Sequence, residues 1–254
     1  MEVEYEKRGR IAIITLNRPE ARNAVNGALA RGMEASLDDY ESDSDLWAAI
    51  LTAKGSAFCA GADLKEIAAG RGAELGTRKG GFAGLVRRER KKPLIAAIAG
   101  SALAGGTEIA LACDMIVCST DTVFGLPEVK RSLVAAAGGL FRLPRAIGMA
   151  PALELIMTGD TLTAERAYQL GMVNQVVPPS EVMAAALALA ERVVAAAPIA
   201  VQHSRSVAIR AFADDDDVLW EAGGKGFMEV AKTEDYREGP KAFIEKRPPQ
   251  WKGR

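Results

Sequence analysis

The chain has 254 residues, of which 49% are hydrophobic, and a formal net charge of −1 at pH 7. That length and apolar content suffice for one sizeable core with a smaller appended region. A sequence pI near 6.0 with no basic excess argues against nucleic acid as the main partner. The N-terminus MEVEYEKRGR is too charged for a signal peptide, and no uninterrupted apolar segment reaches membrane-spanning length. We therefore expect no membrane partner and a cytoplasmic location.

Short apolar runs alternate with helical patterns along most of the chain, which predicts an α/β fold. The expected strands are Ile11 to Leu16, Trp47 to Thr52, Leu94 to Ala99, Met115 to Cys118 and Val173 to Val177. Between the first two strands, one buried helix face is marked by Val25, Leu29, Met33, Leu37 and Tyr40. From about Ala196 onward no strand pattern remains. We therefore predict a core over 1–195 and a helical region over 196–254.

The segment ILTAKGSAFCAGADLK, residues 50–65, predicts a strand, a turn and the start of a helix. Gly61 lies at the bend, and Asp63 is placed to cap the helix. A turn of this kind exposes a backbone amide to a ligand, and we choose that of Ala60. The alternative is an ordinary connection in a layered domain, with glycine present only for the turn geometry.

Residues 66–92 are rich in glycine and predict a mobile segment above a ligand pocket. The segment ends in RRERKK, Arg87 to Lys92, the only marked basic run of the chain. We expect this run to form a solvated face before Pro93. The alternative is that it assists in binding an anionic ligand.

The stretch from Leu94 to Glu128 carries the strongest signs of chemistry, because it combines a glycine-rich strand-to-helix turn with two spaced glutamates. The amides of a first helical turn lack intrahelical partners, so an amide such as that of Gly105 can hold a carbonyl oxygen that gains negative charge. Glu108 lies in this turn. Glu128 follows a proline turn, between apolar residues that would raise its pKa into an acid/base range. The alternative is that Glu108 only complements the helix dipole and that Glu128 is an ordinary surface residue.

The cysteines and the histidine give no sign of a different chemistry. Cys59, Cys113 and Cys118 lack the spacing of zinc ligands, so we expect small core residues and no metal. His203 is the only histidine, and it lies in a helical pattern far from any serine elbow motif. A Ser-His-Asp hydrolase is thereby disfavoured.

Six separated motifs resemble the crotonase (enoyl-CoA hydratase/isomerase) superfamily, in the order and spacing of that family. They are NRPEARNAV, AFCAGADL, ALAGGTEIALACD, FGLPE, TGDTLTAERAYQLGMVNQVVP and EGPKAFIEKRPPQW. The resemblance covers nearly the whole chain. It implies a spiral of ββα repeats, followed by a C-terminal helical region that packs a homotrimer, often paired into a hexamer.

The same resemblance implies an enoyl-CoA hydratase, which adds water reversibly to a 2-enoyl-CoA thioester. By similarity, the amides of Ala60 and Gly105 form an oxyanion hole for the thioester carbonyl. Glu108 and Glu128 match the acid/base pair of the family's hydratases. Glu108 would help to deprotonate the water, and Glu128 would supply the proton to Cα. Coenzyme A is part of the substrate, and no separate cofactor is implied.

Substrate-binding residues are also implied by the resemblance. They are Ala21, Arg22, Gly61, Ala62, Asp63, Leu64, Ala136, Phe243 and Lys246. Arg22 is the candidate near the phosphates, and its alternative is a solvent-exposed surface arginine. Phe243 and Lys246 match positions that reach coenzyme A from a neighbouring subunit, and their alternative is packing with a solvated charge.

One departure from the family pattern leaves the reaction open. Ala135 and Ala136 stand where many members carry a Pro-Gly pair, which alters the pocket floor and the seat of the water. The surrounding sequence also resembles the carnitinyl-CoA dehydratase-like branch, which uses the same two glutamates. Enoyl-CoA isomerisation, thioester hydrolysis and non-catalytic binding of acyl-CoA are further alternatives.

Overall fold

A six-stranded sheet and a four-stranded sheet form the centre of the molecule, and a two-stranded hairpin accompanies them. The computed structural model describes residues 1–254. Its strands are β1 Val3–Arg8, β2 Ile11–Leu16, β3 Ala48–Ala53, β4 Ala57–Cys59, β5 Gly76–Thr77, β6 Gly81–Phe82, β7 Leu94–Ile98, β8 Ser101–Leu103, β9 Met115–Ser119, β10 Val123–Gly125, β11 Thr161–Thr163 and β12 Gln175–Val177. Its α-helices are α1 Gly27–Ser42, α2 Leu64–Ala68, α3 Gly105–Ala112, α4 Gly139–Ile147, α5 Met149–Thr158, α6 Ala164–Gln169, α7 Val182–Val194, α8 Pro198–Ala208, α9 Asp216–Val230 and α10 Glu234–Glu245.

The larger sheet has the order β1-β2-β3-β7-β9-β12, and all neighbouring strands are parallel except β1 and β2. Helix α7 covers one face, where Ile50, Ile95 and Val117 of the sheet pack with Ala186 and Ala190. The main hydrophobic core covers the other face. Because both faces are buried, the central strands are continuous apolar runs rather than alternating ones.

A repeated order of strand, strand and helix builds the fold. β3 belongs to the larger sheet, β4 belongs to the smaller one, and α2 follows; β7, β8 and α3 repeat this order. In the smaller sheet, β4 and β8 are parallel neighbours. The repeated order agrees with the predicted spiral of ββα units. It also places the turns before α2 and α3 side by side, because the carboxyl ends of parallel strands meet at the same edge of a sheet.

Helix α1 confirms the predicted amphipathic helix. Asn26 caps it by accepting a hydrogen bond from a backbone N–H of the first turn at 2.9 Å. The predicted apolar positions are all fully buried, although Val25 precedes the helix and pairs with Ala62 instead. The Tyr40 hydroxyl donates to the Pro93 carbonyl at 2.6 Å, which satisfies the polar end of a buried side chain.

The five predicted strands are present, each within two residues of its predicted bounds. The sequence pattern missed β1, which carries mostly charged residues and pairs only with β2. It also missed β4, β8, β10 and β11, whose three residues are too few for a periodic signal. The sequence pattern therefore did not predict the smaller sheet, although it did predict the turns that follow two of its strands.

Residues 66–92 are not one irregular loop. They contain the end of α2, a 3-10 turn at Gly72–Leu75 and the hairpin of β5 and β6. Leu85 and Val86 are buried in the main core. The mobility of this segment stays a prediction, but much of it is packed against the rest of the chain.

The prediction that RRERKK forms a solvated face is wrong. The side chains of Arg88 and Arg90 are 2% and 3% exposed, and Lys92 is also buried. Arg90 donates to Asp114 at 3.0 Å. The residues between them are exposed. Because the segment is not helical, side chains two residues apart share a side, and alternate cations point inward.

The chain after β12 is helical, as the pattern beyond Ala196 predicts, and His203 lies in α8. No single helix is long and apolar enough to cross a membrane. The bent pair 179–194 and 198–208, which meets at 105°, passes that test of length and composition only when its halves are combined. The division into 1–195 and 196–254 stays a prediction.

A largely buried ion cluster joins the helical region to the core. The Asp114 carboxylate accepts from Arg90 at 3.0 Å and from Arg205 of α8 at 2.8 Å. It also accepts from the Leu94 N–H at 2.8 Å. Burial alone would raise the pKa of Asp114, but the two guanidiniums and their hydrogen bonds hold it below its usual value. The cluster therefore crosses the predicted boundary between the two regions.

The three cysteines are free thiols. Cys59 and Cys118 are buried and Cys113 is half-buried, which confirms the prediction of small core residues. Burial raises the pKa of each thiol to about 12, so none is a ready nucleophile.

Candidate active site

One cleft brings the predicted catalytic residues together. It has a volume of about 1680 Å³, and its walls come from the turns before α2 and α3, the 66–92 segment and the chain between β10 and α4. Ala60, Gly105, Glu108 and Glu128 all line it. Residues that are far apart in the sequence therefore share one accessible site.

The start of α3 presents a free backbone amide to this cleft. Ala104 precedes the helix with a φ of 53°, and no side chain caps it. The N–H of Gly105 has no acceptor in the protein. A Cβ on Gly105 would lie 2.5 Å from Phe82 Cε1, and one on Gly106 would lie 2.1 Å from the Cys59 carbonyl oxygen. Close packing therefore requires both glycines, and the amide of Gly105 stays open to a ligand.

The assignment of Ala60 as the second amide donor is wrong. Its N–H donates to the Arg22 carbonyl oxygen at 3.0 Å, so it is not free for a ligand. The N–H of Ala62, two residues on, has no acceptor in the protein. Gly61 between them has a φ of 91°, and a Cβ on it would lie 2.9 Å from the Gly105 nitrogen. The peptide of Ala62 therefore adjoins the start of α3, and the free amides at this point are those of Ala62 and Gly105.

Glu108 lies in the first turns of α3 and is only 3% exposed. Its Oε1 accepts a hydrogen bond from the Gly139 N–H at 2.9 Å. Burial raises the pKa of Glu108 to about 7; the Gly139 N–H opposes this rise, and the nearby Glu128 adds to it. A Cβ on Gly139 would lie 3.1 Å from Glu108 Oε1, so the glycine allows the amide to approach. A carboxyl group with a pKa near neutrality can both take and give a proton.

Glu128 faces the same cleft from the 3-10 turn Pro127–Arg131, which starts at the predicted proline. Its Oε2 is buried and has no hydrogen-bond partner. Burial raises the pKa of Glu128, because its charged form loses hydration. A buried polar atom without a partner is unfavourable unless a ligand or a proton satisfies it. Glu128 is therefore placed to hold a proton over the cleft.

A paired carboxyl site beside two free amides is what the crotonase resemblance implies, and comparison with known proteins decides the family. The family model for enoyl-CoA hydratase/isomerase matches residues 6–254. The chain belongs to this family. The predicted resemblance and the crotonase fold are thereby confirmed.

Three relatives of this enoyl-CoA hydratase/isomerase family member are informative. The short-chain-enoyl-CoA hydratase of Clostridium acetobutylicum is 40% identical over 253 residues, which cover 96% of this chain and 95% of that protein. The carnitinyl-CoA dehydratase of Salmonella typhimurium is 40% identical over 255 residues, which cover 98% and 97%. The crystal structure of enoyl-CoA hydratase from Mycobacterium tuberculosis H37Rv matches with a TM-score of 0.95 and 46% identity, covering 100% of this chain and 99% of that one.

Most of the predicted substrate-binding residues line the cleft of this family member. Those that do are Ala21, Arg22, Ala62, Asp63, Leu64 and Ala136. Gly61 lies behind the lining, against the start of α3. The carboxylate of Asp63 is already bound within the protein, because it pairs with Arg18 at 2.7 Å and accepts the Lys65 N–H at 2.9 Å. The Asp63 carboxylate is therefore occupied within the protein, and Arg18, its partner, is a cleft residue that the sequence analysis missed.

Phe243 and Lys246 are not brought to the cleft of their own chain. They lie at the end of α10, where Phe243 is 85% exposed and Lys246 adopts a left-handed backbone conformation with a φ of 53°. Their contact with coenzyme A from a neighbouring subunit stays a prediction.

The Ala135-Ala136 departure lies at the wall of the cleft. Ala135 is buried, whereas Ala136 lines the cleft, and the Ala136 N–H donates to the Val134 carbonyl at 2.8 Å. Gly138 follows with a φ of 108°. The loop therefore turns tightly just before Gly139, whose N–H donates to Glu108.

Arg142 of α4 also lines the cleft, and the sequence analysis missed it. Its guanidinium donates to the carbonyl oxygens of Ala137 at 3.2 Å and Val86 at 2.6 Å. Burial lowers the pKa of Arg142, and Glu108 opposes that change. One of its partners is 56 positions away in the sequence, so a local motif could not have revealed it.

Proposed function

We propose that this chain is an enoyl-CoA hydratase that adds water reversibly to a 2-enoyl-CoA thioester. One observation carries the proposal: Glu108 and Glu128, both with a raised pKa, line the same cleft as the free amides of Ala62 and Gly105. The relatives named enoyl-CoA hydratase support it.

In this proposal, the thioester carbonyl oxygen accepts hydrogen bonds from the N–H groups of Ala62 and Gly105. Attack of water at C3 moves negative charge onto that oxygen as an enolate develops. The backbone holds both N–H groups in place, so they stabilise the charge without reorganising. Ala62 replaces Ala60 in this role because only its amide is free.

The two glutamates divide the proton transfers. We assign Glu108 to take the proton from the attacking water, because the Gly139 N–H stabilises its carboxylate form against the rise in pKa that burial causes. Glu128 has a buried oxygen without a donor, which favours its protonated form, so it gives the proton to Cα.

The water oxygen bonds to C3, one water proton passes to Glu108, and the proton of Glu128 forms the new bond at Cα. The pair returns to its starting state when Glu108 releases a proton and Glu128 gains one, because two coupled carboxyls titrate as a unit. Dehydration runs the same steps in reverse. The reaction has no net oxidation or reduction, so the proposal includes no separate cofactor.

The proposal assigns the rest of the cleft to coenzyme A. Arg22 and the turn from Ala62 to Leu64 line the cleft, and we assign them to the pantetheine and phosphates. Phe243 and Lys246 of a neighbouring subunit complete this assignment.

We extend the proposal to a homotrimer or a pair of trimers in the cytoplasm. Helices α9 and α10 expose large apolar side chains, namely Trp220, Phe227, Phe243 and Ile244. Exposed apolar groups of this size are typical of protein interfaces. The free thiols of the core suit the reducing conditions of that compartment.

A second candidate is dehydration of a carnitinyl-CoA-like thioester. It is favoured by one observation, since the carnitinyl-CoA dehydratase relative is as similar as the short-chain hydratase relative, at 40% identity each. The same amides and glutamates would serve it. Product analysis with both substrate types distinguishes the two.

The test is the loss of the conjugated enoyl-thioester absorbance with crotonyl-CoA and a longer 2-enoyl-CoA. We expect rapid loss with the wild type and a fall of about 100- to 10,000-fold for Glu128→Gln. Glu154→Gln, an exposed carboxylate change on α5, is the matched control and should leave the rate unchanged. No loss of absorbance at any chain length, despite measurable binding of the thioester, would remove the hydratase proposal.

A further inference from the structure

Arg142 is a half-buried cation whose hydrogen-bond partners in the site are neutral. Its Nη1 donates to the Ala137 carbonyl and its Nη2 to the Val86 carbonyl, and it forms no salt bridge. A guanidinium paired only with carbonyls keeps its full positive charge, and its flat fork can hold two acceptors at fixed angles. The same residue lines the cleft that contains Glu108.

One arm of Arg142 supports the loop that holds Glu108. Nη1 binds the Ala137 carbonyl, and a Cβ on Gly138 would lie only 2.1 Å from Nη1, so the guanidinium lies directly against the next peptide. The following residue, Gly139, donates its N–H to Glu108 Oε1 at 2.9 Å. Three consecutive residues therefore connect Arg142 to the carboxyl group.

The other arm of Arg142 supports the opposite wall. Nη2 binds the carbonyl of Val86, which belongs to the same packed segment as Phe82. Phe82 lies against the start of α3, where a Cβ on Gly105 would come within 2.5 Å of its ring. The Arg142 side chain thus connects the loop that binds Glu108 with the segment that packs against Gly105.

Few charged groups face Glu108. Glu128 lies across the cleft and Arg142 projects from α4, and these two act on the pKa of Glu108 in opposite directions. Arg142 is itself faced by Arg90, Arg145 and the Cys113 thiol. Arg142 is therefore the cation that lowers the pKa of Glu108, whereas burial and Glu128 raise it.

We propose that Arg142 is the positioning residue of Glu108, fixing the Ala137–Gly139 loop with its fork and favouring the carboxylate form of Glu108 with its charge. The inference rests on the proposed function in one respect, since it says how the proton acceptor of that reaction is set. Arg142 needs no contact with the substrate for this role.

The first test is the pH profile of kcat/KM for hydration of crotonyl-CoA by the wild type, Arg142→Met and Arg142→Lys. The Met substitution removes both the charge and the planar hydrogen-bonding group, so we expect the acidic limb to move to higher pH. We also expect the plateau to fall by about tenfold or more, because the carboxyl loses its fixed position. Lys keeps the charge without the fork, so the plateau should fall while the acidic limb stays in place.

Arg145→Met is the matched control. Arg145 lies on the same helix, and its guanidinium is 5.3 Å from the Phe141 ring centroid, close to the 5.2 Å of Arg142. Unlike Arg142, Arg145 is exposed and does not line the cleft. We expect its profile to match the wild type. A limb shift of equal size in Arg145→Met would overturn the proposal, because any cation of α4 would then have the same effect.

A second measurement separates this inference from the proposed function. Infrared titration of the protonated carboxyl band, without substrate and with the Glu108 signal assigned by Glu108→Gln, gives the midpoint for Glu108 directly. We expect a higher midpoint in Arg142→Met than in the wild type, whether or not the wild type hydrates crotonyl-CoA. An unchanged midpoint in folded Arg142→Met overturns the inference, and so does an Arg142→Lys variant with an undiminished plateau. If Arg142→Met does not fold, the plateau and limb of Arg142→Lys decide the question.

Discussion

The turns before α2 and α3 occupy equivalent places in successive ββα repeats, yet they end differently. Asp63 closes the start of α2, where its carboxylate accepts the Lys65 N–H at 2.9 Å and pairs with Arg18 at 2.7 Å. No side chain closes the start of α3, and the Gly105 N–H stays free. The first turn is therefore completed by the protein itself. The second turn leaves the Gly105 N–H free to bind a ligand. In the first turn only the N–H of Ala62 is free in the same way.

The carboxyl groups of the two turns also differ in their charge preference. For Asp63, burial would raise the pKa, but the hydrogen bonds from Arg18 and the helix amides lower it. For Glu108, burial raises the pKa to about 7, and the backbone amides of Gly139 and Ala137 together with Arg142 only moderate the rise. One carboxyl is held as an anion for stability, while the other is kept near neutrality for proton transfer.

The largest effect should come from removing Glu108, the proton acceptor in the turn that starts α3. We expect Glu108→Gln to lower kcat for crotonyl-CoA by about 100- to 10,000-fold, because the proton acceptor is lost. Glu66→Gln is the matched change in the first turn of α2, where Glu66 is bound to Arg71 at 2.6 Å. It should leave kcat unchanged. Equal losses in both variants would show that the comparison of the turns is wrong.

The next effect concerns the amides. Replacing the Ala62 amide with an ester removes one N–H, and we expect kcat to fall by about 100- to 1,000-fold if that N–H stabilises the oxyanion. The same replacement at Ala60 removes only a hydrogen bond to the Arg22 carbonyl. It should lower the free energy of unfolding by about 1 kcal/mol and leave kcat nearly unchanged. The reverse ranking would restore Ala60 as the donor.

The smallest effect is a difference in how stability depends on pH. A buried carboxyl with a raised pKa favours the fold below its unfolded pKa, and that contribution is lost as pH rises through about 7. We therefore expect Glu108→Gln to be more stable than the wild type at pH 8, with the advantage about 2 kcal/mol smaller at pH 5. Denaturant unfolding at the two pH values measures this.

Asp63→Ala should behave in the opposite way. Because the pKa of Asp63 is lowered, its contribution is present at neutral pH and is lost as pH falls below about 4. We expect a loss of about 2 kcal/mol at pH 7, from the cap and the ion pair together, and a smaller loss in acid. Curves that move in the same direction for both variants would contradict the contrast between the turns.

Local patterns predicted the parts of the fold that depend on continuous burial. The run Leu94–Ile98 is buried throughout, so its composition alone marked a central strand. The stripe of α1 was predictable for the same reason. The short strands of the smaller sheet were not, because three residues carry no period and their pairing is set by distant neighbours.

The site was predictable where a residue acts through its own side chain and motif. Glu108 and Glu128 were named correctly as cleft residues, since their motifs place them after recognisable turns. The sequence analysis assigned the first amide donor to Ala60, two residues before Ala62. The positive φ of Gly61 decides which N–H is free, and the sequence alone does not give that angle. Arg142 escaped notice because the carbonyls that hold it are backbone atoms, which no side-chain pattern records.

The ion cluster at Asp114 has a consequence for how the molecule comes apart. Arg205 of α8 reaches Asp114 beneath the end of α3, and it also donates to the Arg90 carbonyl. If the helical region separated from the core, Asp114 would lose its ion pair with Arg205. Breaking a largely buried ion pair by removing one partner is strongly destabilising. We therefore expect the core and α8 to unfold together, because separating them would leave Asp114 without Arg205, a partner nearly a hundred residues downstream.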